Sequence, residues 1–138
     1  MNVEFKNVNK HFGKVHANKN INLKIPSGSI QGILGENGAG KSTLMKVLSG
    51  FIHADSGSEI LLDGKPVKMN SPADAIKHGI GMLHQDPLDF PPMKILDNFL
   101  LGMPGGFFPN RKEATQDFNL LQKEYGFSLD PEDYVDSL

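Results

Sequence analysis

Three glycines, a lysine and two hydroxyl residues are crowded into Gly35-Glu36-Asn37-Gly38-Ala39-Gly40-Lys41-Ser42-Thr43. Gly35, Gly40, Lys41 and Ser42 fill every fixed position of the phosphate-loop pattern G-x-x-x-x-G-K-[ST]. Gly35, Gly38 and Gly40 permit positive φ and put no β-carbon between the backbone and an anion. Successive N–H groups, those of Glu36, Asn37 and Ala39 included, are then free to converge on phosphate oxygens. A helix opening near Gly40 adds its unpaired N–H groups and the positive end of its dipole. Lys41 reaches the β and γ phosphates as a point charge, Ser42 ligates Mg²⁺ through its hydroxyl, and Thr43 donates to the α phosphate. A glycine turn that only reverses the chain has no use for a lysine at the helix start.

Such a loop must be carried between a strand and a helix. The apolar run Ile30 to Leu34 supplies the expected strand, and Leu44, Val47, Leu48 and Phe51 recur on one face of the expected helix. Ahead of them, Val3 to Val8 alternates apolar and polar residues like a half-buried strand. A turn around His11-Phe12-Gly13-Lys14 leads to a second strand through Ile21, Leu23 and Ile25, which makes an antiparallel flap. Phe12, read from the residues alone, is a core aromatic.

Gly50 offers a stop to the loop helix, and a loop follows from Phe51 to Gly57. Ile60-Leu61-Leu62 and Lys65-Pro66-Val67 flank the two-residue hairpin turn Asp63-Gly64. Ser71-Pro72 begins a short helix that ends by Gly79. Ile80 to His84 reads as a buried strand of the main sheet. After a proline-broken stretch, Gln85 to Met93, a short helix takes Lys94 to Leu101, and Gly102 to Asn110 is a loop. Arg111 to Tyr125 is an amphipathic helix with Ala114, Phe118, Leu121 and Tyr125 on one side and Gly126 as its stop. Asp130-Pro131-Glu132 begins a further helix.

The chain has 138 residues and 38% hydrophobic content, one domain's worth with a real core. A net charge of −2 and a pI near 6.2 argue against nucleic acid as a partner. It has no cysteine, so disulfides and thiolate metal sites are excluded. No apolar run is long enough to span a bilayer, and Met1-Asn2-Val3-Glu4 is not a signal peptide. The histidines His11, His16, His53, His78 and His84 show no metal-ligand spacing. The acidic residues from Glu113 to Asp136 read as solvated helix faces.

Phe12, the loop GENGAGKST, Gln85 after an apolar run, and the segment SPADAIKHGIGMLHQDPLDFPPMKILDNFLLG together resemble the N-terminal part of an ATP-binding-cassette (ABC) transporter ATPase. Within that family the likeness is greatest to the sugar and nucleoside importers. The resemblance implies an α/β fold: an incomplete P-loop NTPase core, an N-terminal antiparallel β flap, and the start of a helical subdomain. It implies one ATPase domain cut short at its C-terminus, with the core over about 1–93 and the helical part over about 94–138. It also implies that Phe12 stacks on the adenine of ATP, where the family more often has tyrosine, and that Gln85 contacts Mg²⁺ or the attacking water. By the same analogy Gln85 to Met93, with Leu88, Phe90 and Pro91-Pro92, helps receive a transmembrane permease subunit; the other reading is that these side chains cover the domain's own helices.

Further expectations come with the resemblance. The ATPase works at the cytoplasmic face of the cell membrane, paired with a second ATPase copy and served indirectly by a solute-binding protein. The LSGGQ-like signature, an apolar strand ending in Asp-Glu, and a switch histidine do not occur in these residues, so 1–138 alone is expected to bind nucleotide and hydrolyse little. A small-molecule or nucleotide kinase is the rival enzyme, although Arg111 is the chain's one arginine. A GTPase would carry N-K-x-D, and neither Asn9-Lys10-His11-Phe12 nor Asn18-Lys19-Asn20-Ile21 has the Asp. The non-enzymatic rival is a regulatory nucleotide-binding module.

Overall fold

In the computed structural model residues 1–86, 89–103 and 110–137 are described. The chain divides into two compact units, Met1–Leu83 and His84–Leu138.

The first unit is built on an antiparallel sheet of β1 (Val3–Phe12), β2 (Val15–Ile25), β3 (Glu59–Leu62) and β4 (Lys65–Val67), in the order β2-β1-β3-β4. Strict alternation along β1 would bury Phe5 and then Asn7. Instead the register slips between Phe5 and Val8, with Asn7 at φ 48°, and both apolar residues face inward. A bulge of this kind breaks the ladder locally, and asparagine side chains take over the lost bonds. Asn22 Oδ1 accepts from Asn7 N at 2.9 Å, and Asn9 Oδ1 accepts from Asn20 N at 2.8 Å. The expected flap is present and longer than its alternation suggests: β1 runs on to pair Phe12 with Val15, and the chain reverses at Gly13-Lys14.

Helix α1 (Lys41–Leu48) lays Leu44 and Val47 against Phe5, Val8 and Ile60, the core of this unit. Gly50, at φ 73°, follows its last turn as a left-handed stop. The hairpin turn Asp63-Gly64 has both residues at positive φ, as a two-residue turn requires. In α2 (Pro72–Lys77), Ser71 caps the N-terminus by accepting from Asp74 N at 3.2 Å, and Pro72 takes the first position.

Two expected strands are not formed. Neither Ile30–Leu34 nor Ile80–His84 joins a ladder among the described residues. An unpaired strand leaves its N–H and C=O groups without partners. Ile30, Leu34 and Leu83 are accordingly exposed, while Ile80 remains buried with Leu62, Met69 and Ala75.

The second unit contains α3 (Ile95–Gly102) and α4 (Arg111–Tyr125) around Ile95, Leu96, Ala114 and Phe118. Phe99 meets Phe118 edge to face at 5.5 Å between centroids. Asn110 caps α4 and Gly126, at φ 73°, ends it. Leu121 and Tyr125 share the apolar side of α4 but stay exposed. Arg111 pairs with Asp97 and, at 3.6 Å, with Glu132; Lys94 pairs with Glu132 at 2.6 Å. These bonds raise the pKa of Arg111, chiefly through Asp97, and that of Lys94, chiefly through Glu132. The helix expected from Asp130 does not form. Asp130 instead makes a turn that accepts from Glu132 N and Asp133 N, Tyr134 bridges to Lys94, and a single 3-10 turn, Val135–Ser137, follows.

Candidate phosphate-binding site

The glycine loop stands open to solvent from Gly35 to Ala39 and closes onto the protein at Gly40. Ala39 N donates to Glu36 O at 3.1 Å, which folds the segment into a turn, and Gly38 and Gly40 take φ of 84° and 83°. Gly40 is the N-cap of α1, with no side chain capping the helix and no acidic residue in its first turn. The positive end of the helix is therefore uncompensated, and the loop presents its backbone there. A β-carbon on Gly40 would lie 2.1 Å from Ala17 O. Glycine is thus required at Gly40 twice over, by φ and by the contact with β2.

Lys41 turns back across the loop, its Nζ donating to Gly35 O at 2.7 Å and Glu36 O at 2.8 Å. The ammonium is held against the loop itself. Those two carbonyls are neutral acceptors, and a charged phosphate oxygen is the stronger one. Ser42 is exposed and Thr43 half-buried, both in the first turn of α1. The loop backbone N–H groups, one ammonium and two hydroxyls suit a polyphosphate with a divalent cation, the group this residue set fits on chemical grounds.

The tip of the β1–β2 hairpin carries Phe12, 49% exposed, with Lys10 Nζ 5.2 Å from its ring centroid. The expectation of a core aromatic, drawn from the residues alone, is corrected: at the strand's last position its ring meets solvent. Beside it His11 stacks on His16 at 3.7 Å, and Asp55 Oδ2 lies 2.6 Å from His11 Nδ1. The hydrogen bond to His11 is the largest cause that holds the Asp55 carboxyl below its ordinary value.

Gln85 is exposed and lies in the second unit, whereas the loop and Phe12 lie in the first. In the stretch that follows, Asn98 fastens the backbone, accepting from Phe90 N at 2.7 Å and donating to Phe90 O at 3.1 Å. Phe90 is exposed, and Met93 is half-buried. Pro87 and Leu88, like Pro104 to Pro109 of the expected loop, lie outside the described residues.

One residue of the site escaped the sequence reading. Asn18, on β2 and 3% exposed, donates from Nδ2 to Gly40 O at 3.0 Å. In the sequence it is one asparagine among several on the flap, and only its inward register sets it apart.

A left-handed glycine loop opening a helix packed on an antiparallel flap defines an α/β protein of the phosphate-loop class. Residues 18–138 match the family model of the ABC transporter, and the chain belongs to that family. The ribose import ATP-binding protein RbsA 2 of Escherichia coli O157:H7 is 39% identical over 138 residues, which cover 99% of this chain and 27% of that protein. The guanosine import ATP-binding protein NupO of Bacillus subtilis strain 168 is 41% identical over 132 residues, 94% of this chain and 26% of that protein. Among solved structures, a nucleotide-free ATP-binding cassette from an ABC transporter superposes with a TM-score of 0.81 at 26% identity, covering 100% of this chain and 59% of its own. The ADP conformation of another ATP-binding cassette, 24% identical with a TM-score of 0.81, shares the fold over 100% of this chain and 59% of its own. The likeness to sugar and nucleoside importers therefore stands, and the chain spans about a quarter of the length of these curated relatives.

Proposed function

We propose that residues 1–138 are the N-terminal part of one ABC ATPase domain, with the nucleotide-binding core over about 1–93 and the start of a helical subdomain over about 94–138. In the whole protein this domain binds and hydrolyses ATP to drive import of a sugar or nucleoside. The observation that carries the reading is the placement of Lys41 Nζ on the loop carbonyls at the positive end of α1. The names of the relatives, import ATP-binding proteins for ribose, galactose and guanosine, support the same substrate class.

Each group has a defined task. The N–H groups of Gly35, Glu36, Asn37, Gly38, Ala39 and Gly40 bind phosphate oxygens, and Lys41 neutralises the charge that builds on the β and γ phosphates. Thr43 donates to the α phosphate, and Phe12 offers the adenine a platform. Ser42 would hold Mg²⁺ through its hydroxyl, a role that the family likeness extends to Gln85, and the cation would draw charge from the phosphates. The permease docks on Gln85 to Met93 at the cytoplasmic face of the membrane. A second ATPase copy and a solute-binding protein complete the assembly.

The test is ATP binding and turnover by the full-length protein and its Lys41→Ala variant, beside 1–138 alone. Full-length protein is expected to bind and hydrolyse ATP, Lys41→Ala to lose turnover by at least a hundredfold, on the order expected for a transition-state charge contact, and 1–138 to turn over little. Failure of the full-length protein to bind ATP would remove the proposal.

A further inference from the structure

The carboxamide of Asn18 is buried at the junction of β2 with the loop, and its two ends fare differently. Nδ2 donates to Gly40 O at 3.0 Å, while Oδ1 is shielded from solvent and has no hydrogen-bond partner among the described residues. The orientation is fixed by chemistry: Gly40 O is only an acceptor, so the amide must turn its nitrogen toward it. An apolar side chain of the same shape would seat here without leaving an acceptor unpaired. Packing alone therefore gives no reason for an amide at this position.

A reason lies in the peptide it holds. Gly40 O also accepts the first bond of α1, from Leu44 N at 3.0 Å, so it is fixed from two sides. The peptide from Gly40 to Lys41 is planar and trans, since the described backbone has no cis bond. In a trans peptide the N–H points opposite to the C=O. Drawing Gly40 O toward β2 thus aims Lys41 N–H the other way, to the solvent side where the loop's glycines and the Lys41 ammonium gather. The absence of a β-carbon at Gly40 lets β2 come this close: a methyl there would stand 2.7 Å from Asn18 Nδ2.

We propose that Asn18 is a positioning residue for the phosphate loop, holding the Gly40 carbonyl so that the Lys41 N–H is pre-aimed at the nucleotide's terminal phosphates. The inference rests on the nucleotide-binding reading given above and adds a residue to it that touches no ligand. Pre-aiming spares the bound state the ordering of this peptide, so its loss weakens binding in proportion to how much phosphate the ligand places on that N–H.

The experiment compares full-length protein with Asn18→Leu, which matches the shape and removes both the donor and the unpaired acceptor. Affinities for ATP, ADP and AMP are measured with the thermal midpoint of each protein, and Val47→Ala serves as a control that loosens the core away from the loop. Asn18→Leu is expected to keep its thermal midpoint and to lose about fivefold to tenfold in ATP affinity, with ADP close behind and AMP nearly unchanged. A uniform loss across the three nucleotides, or a loss that tracks thermal midpoint as in Val47→Ala, would make Asn18 merely structural and overturn the proposal. If Asn18→Leu does not fold, Asn18→Ala replaces it: the donor is gone, no acceptor is left unpaired, no charge is added beside the loop, and the same ATP-to-AMP contrast decides. Unchanged ATP affinity in a folded variant overturns the role of Asn18 alone, whereas unmodified protein that binds no ATP overturns the reading beneath it as well.

Discussion

Ile60-Leu61-Leu62 and the run Ile30-Gln31-Gly32-Ile33-Leu34 each hold three large aliphatic residues, and the fold treats most of them oppositely, although Ile33 packs on the core. The first is strand β3, its side chains 7–8% exposed; in the second, Ile30 is 104% and Leu34 97% exposed. The difference is where a partner can be found. β3 meets β4 across the two-residue turn Asp63-Gly64 and meets β1 on its other edge. Ile30–Leu34 has no strand beside it among the described residues. Antiparallel neighbours arrive through short local turns, while parallel ones need a long crossover. Hydrophobic sequence marks a segment as willing to be a strand, and the availability of a neighbour decides whether it becomes one.

Truncation on the two sides of that contrast should give the largest effect. Phe5 is 1% exposed in the core beneath β3, so Phe5→Ala should destabilise this chain by about 3–5 kcal/mol. Leu34→Ala should change it by less than about 0.5 kcal/mol, as surface substitutions do. Urea denaturation of the two variants measures both values. Equal losses would mean that Leu34 is buried in solution and that the contrast is wrong.

Next in size comes the loop, which repeats the contrast on a smaller scale. Gly38 and Gly40 share nearly the same φ, yet a methyl on Gly38 meets nothing within 4 Å while one on Gly40 strikes Ala17 O. Gly38→Ala should cost roughly 1–2 kcal/mol from the left-handed conformation alone. Gly40→Ala adds overpacking and should cost roughly 2–4 kcal/mol, with a matching loss of ATP affinity. A Gly40→Ala variant as stable as Gly38→Ala would show that β2 does not press on the loop.

Phe12 sharpens the comparison from another direction, because it is exposed although it pairs with Val15 across the hairpin. Phe12→Ala should leave stability within about 0.5 kcal/mol and weaken ATP binding by roughly 1–3 kcal/mol, the worth of a base stacked on an aromatic ring. Calorimetric titration with ATP reads the second number directly. A variant that binds ATP normally but melts early would return Phe12 to the core.

These cases show why some of the molecule was legible in advance. The phosphate loop, the Asp63-Gly64 hairpin, the Ser71-Pro72 cap and α4 were readable because each is written in neighbouring residues. Ile30–Leu34, Ile80–His84 and the segment after Asp130 were misread because their outcome depends on partners distant in sequence. Asn18 was missed for a related reason. Its importance comes from lying under Gly40, and nothing within β2 announces that contact.

The smallest expected effect concerns the hairpin tip, where His11 and Asp55 tie the flap to the loop that follows α1. The carboxyl of Asp55 is held below its ordinary 3.8, first by the hydrogen bond from His11 and further by the nearby charge of Lys10. Because the folded protein takes up this proton less readily than the unfolded chain, the unfolded state binds more protons as the solution is acidified. The stabilisation is therefore complete above the ordinary value and is lost as pH falls through the lower folded value. Asp55→Asn should flatten the acid limb of the stability curve below about pH 4 while leaving its slope near pH 7 untouched. Part of the acid limb should survive in the variant, since Asp63 is also held low, mainly by Asn2 N–H. Denaturation midpoints measured from pH 2.5 to 7, roughly the span over which carboxylates titrate, give the answer. An acid limb of unchanged slope in Asp55→Asn would mean that the tip of the flap is not fastened through Asp55 in solution.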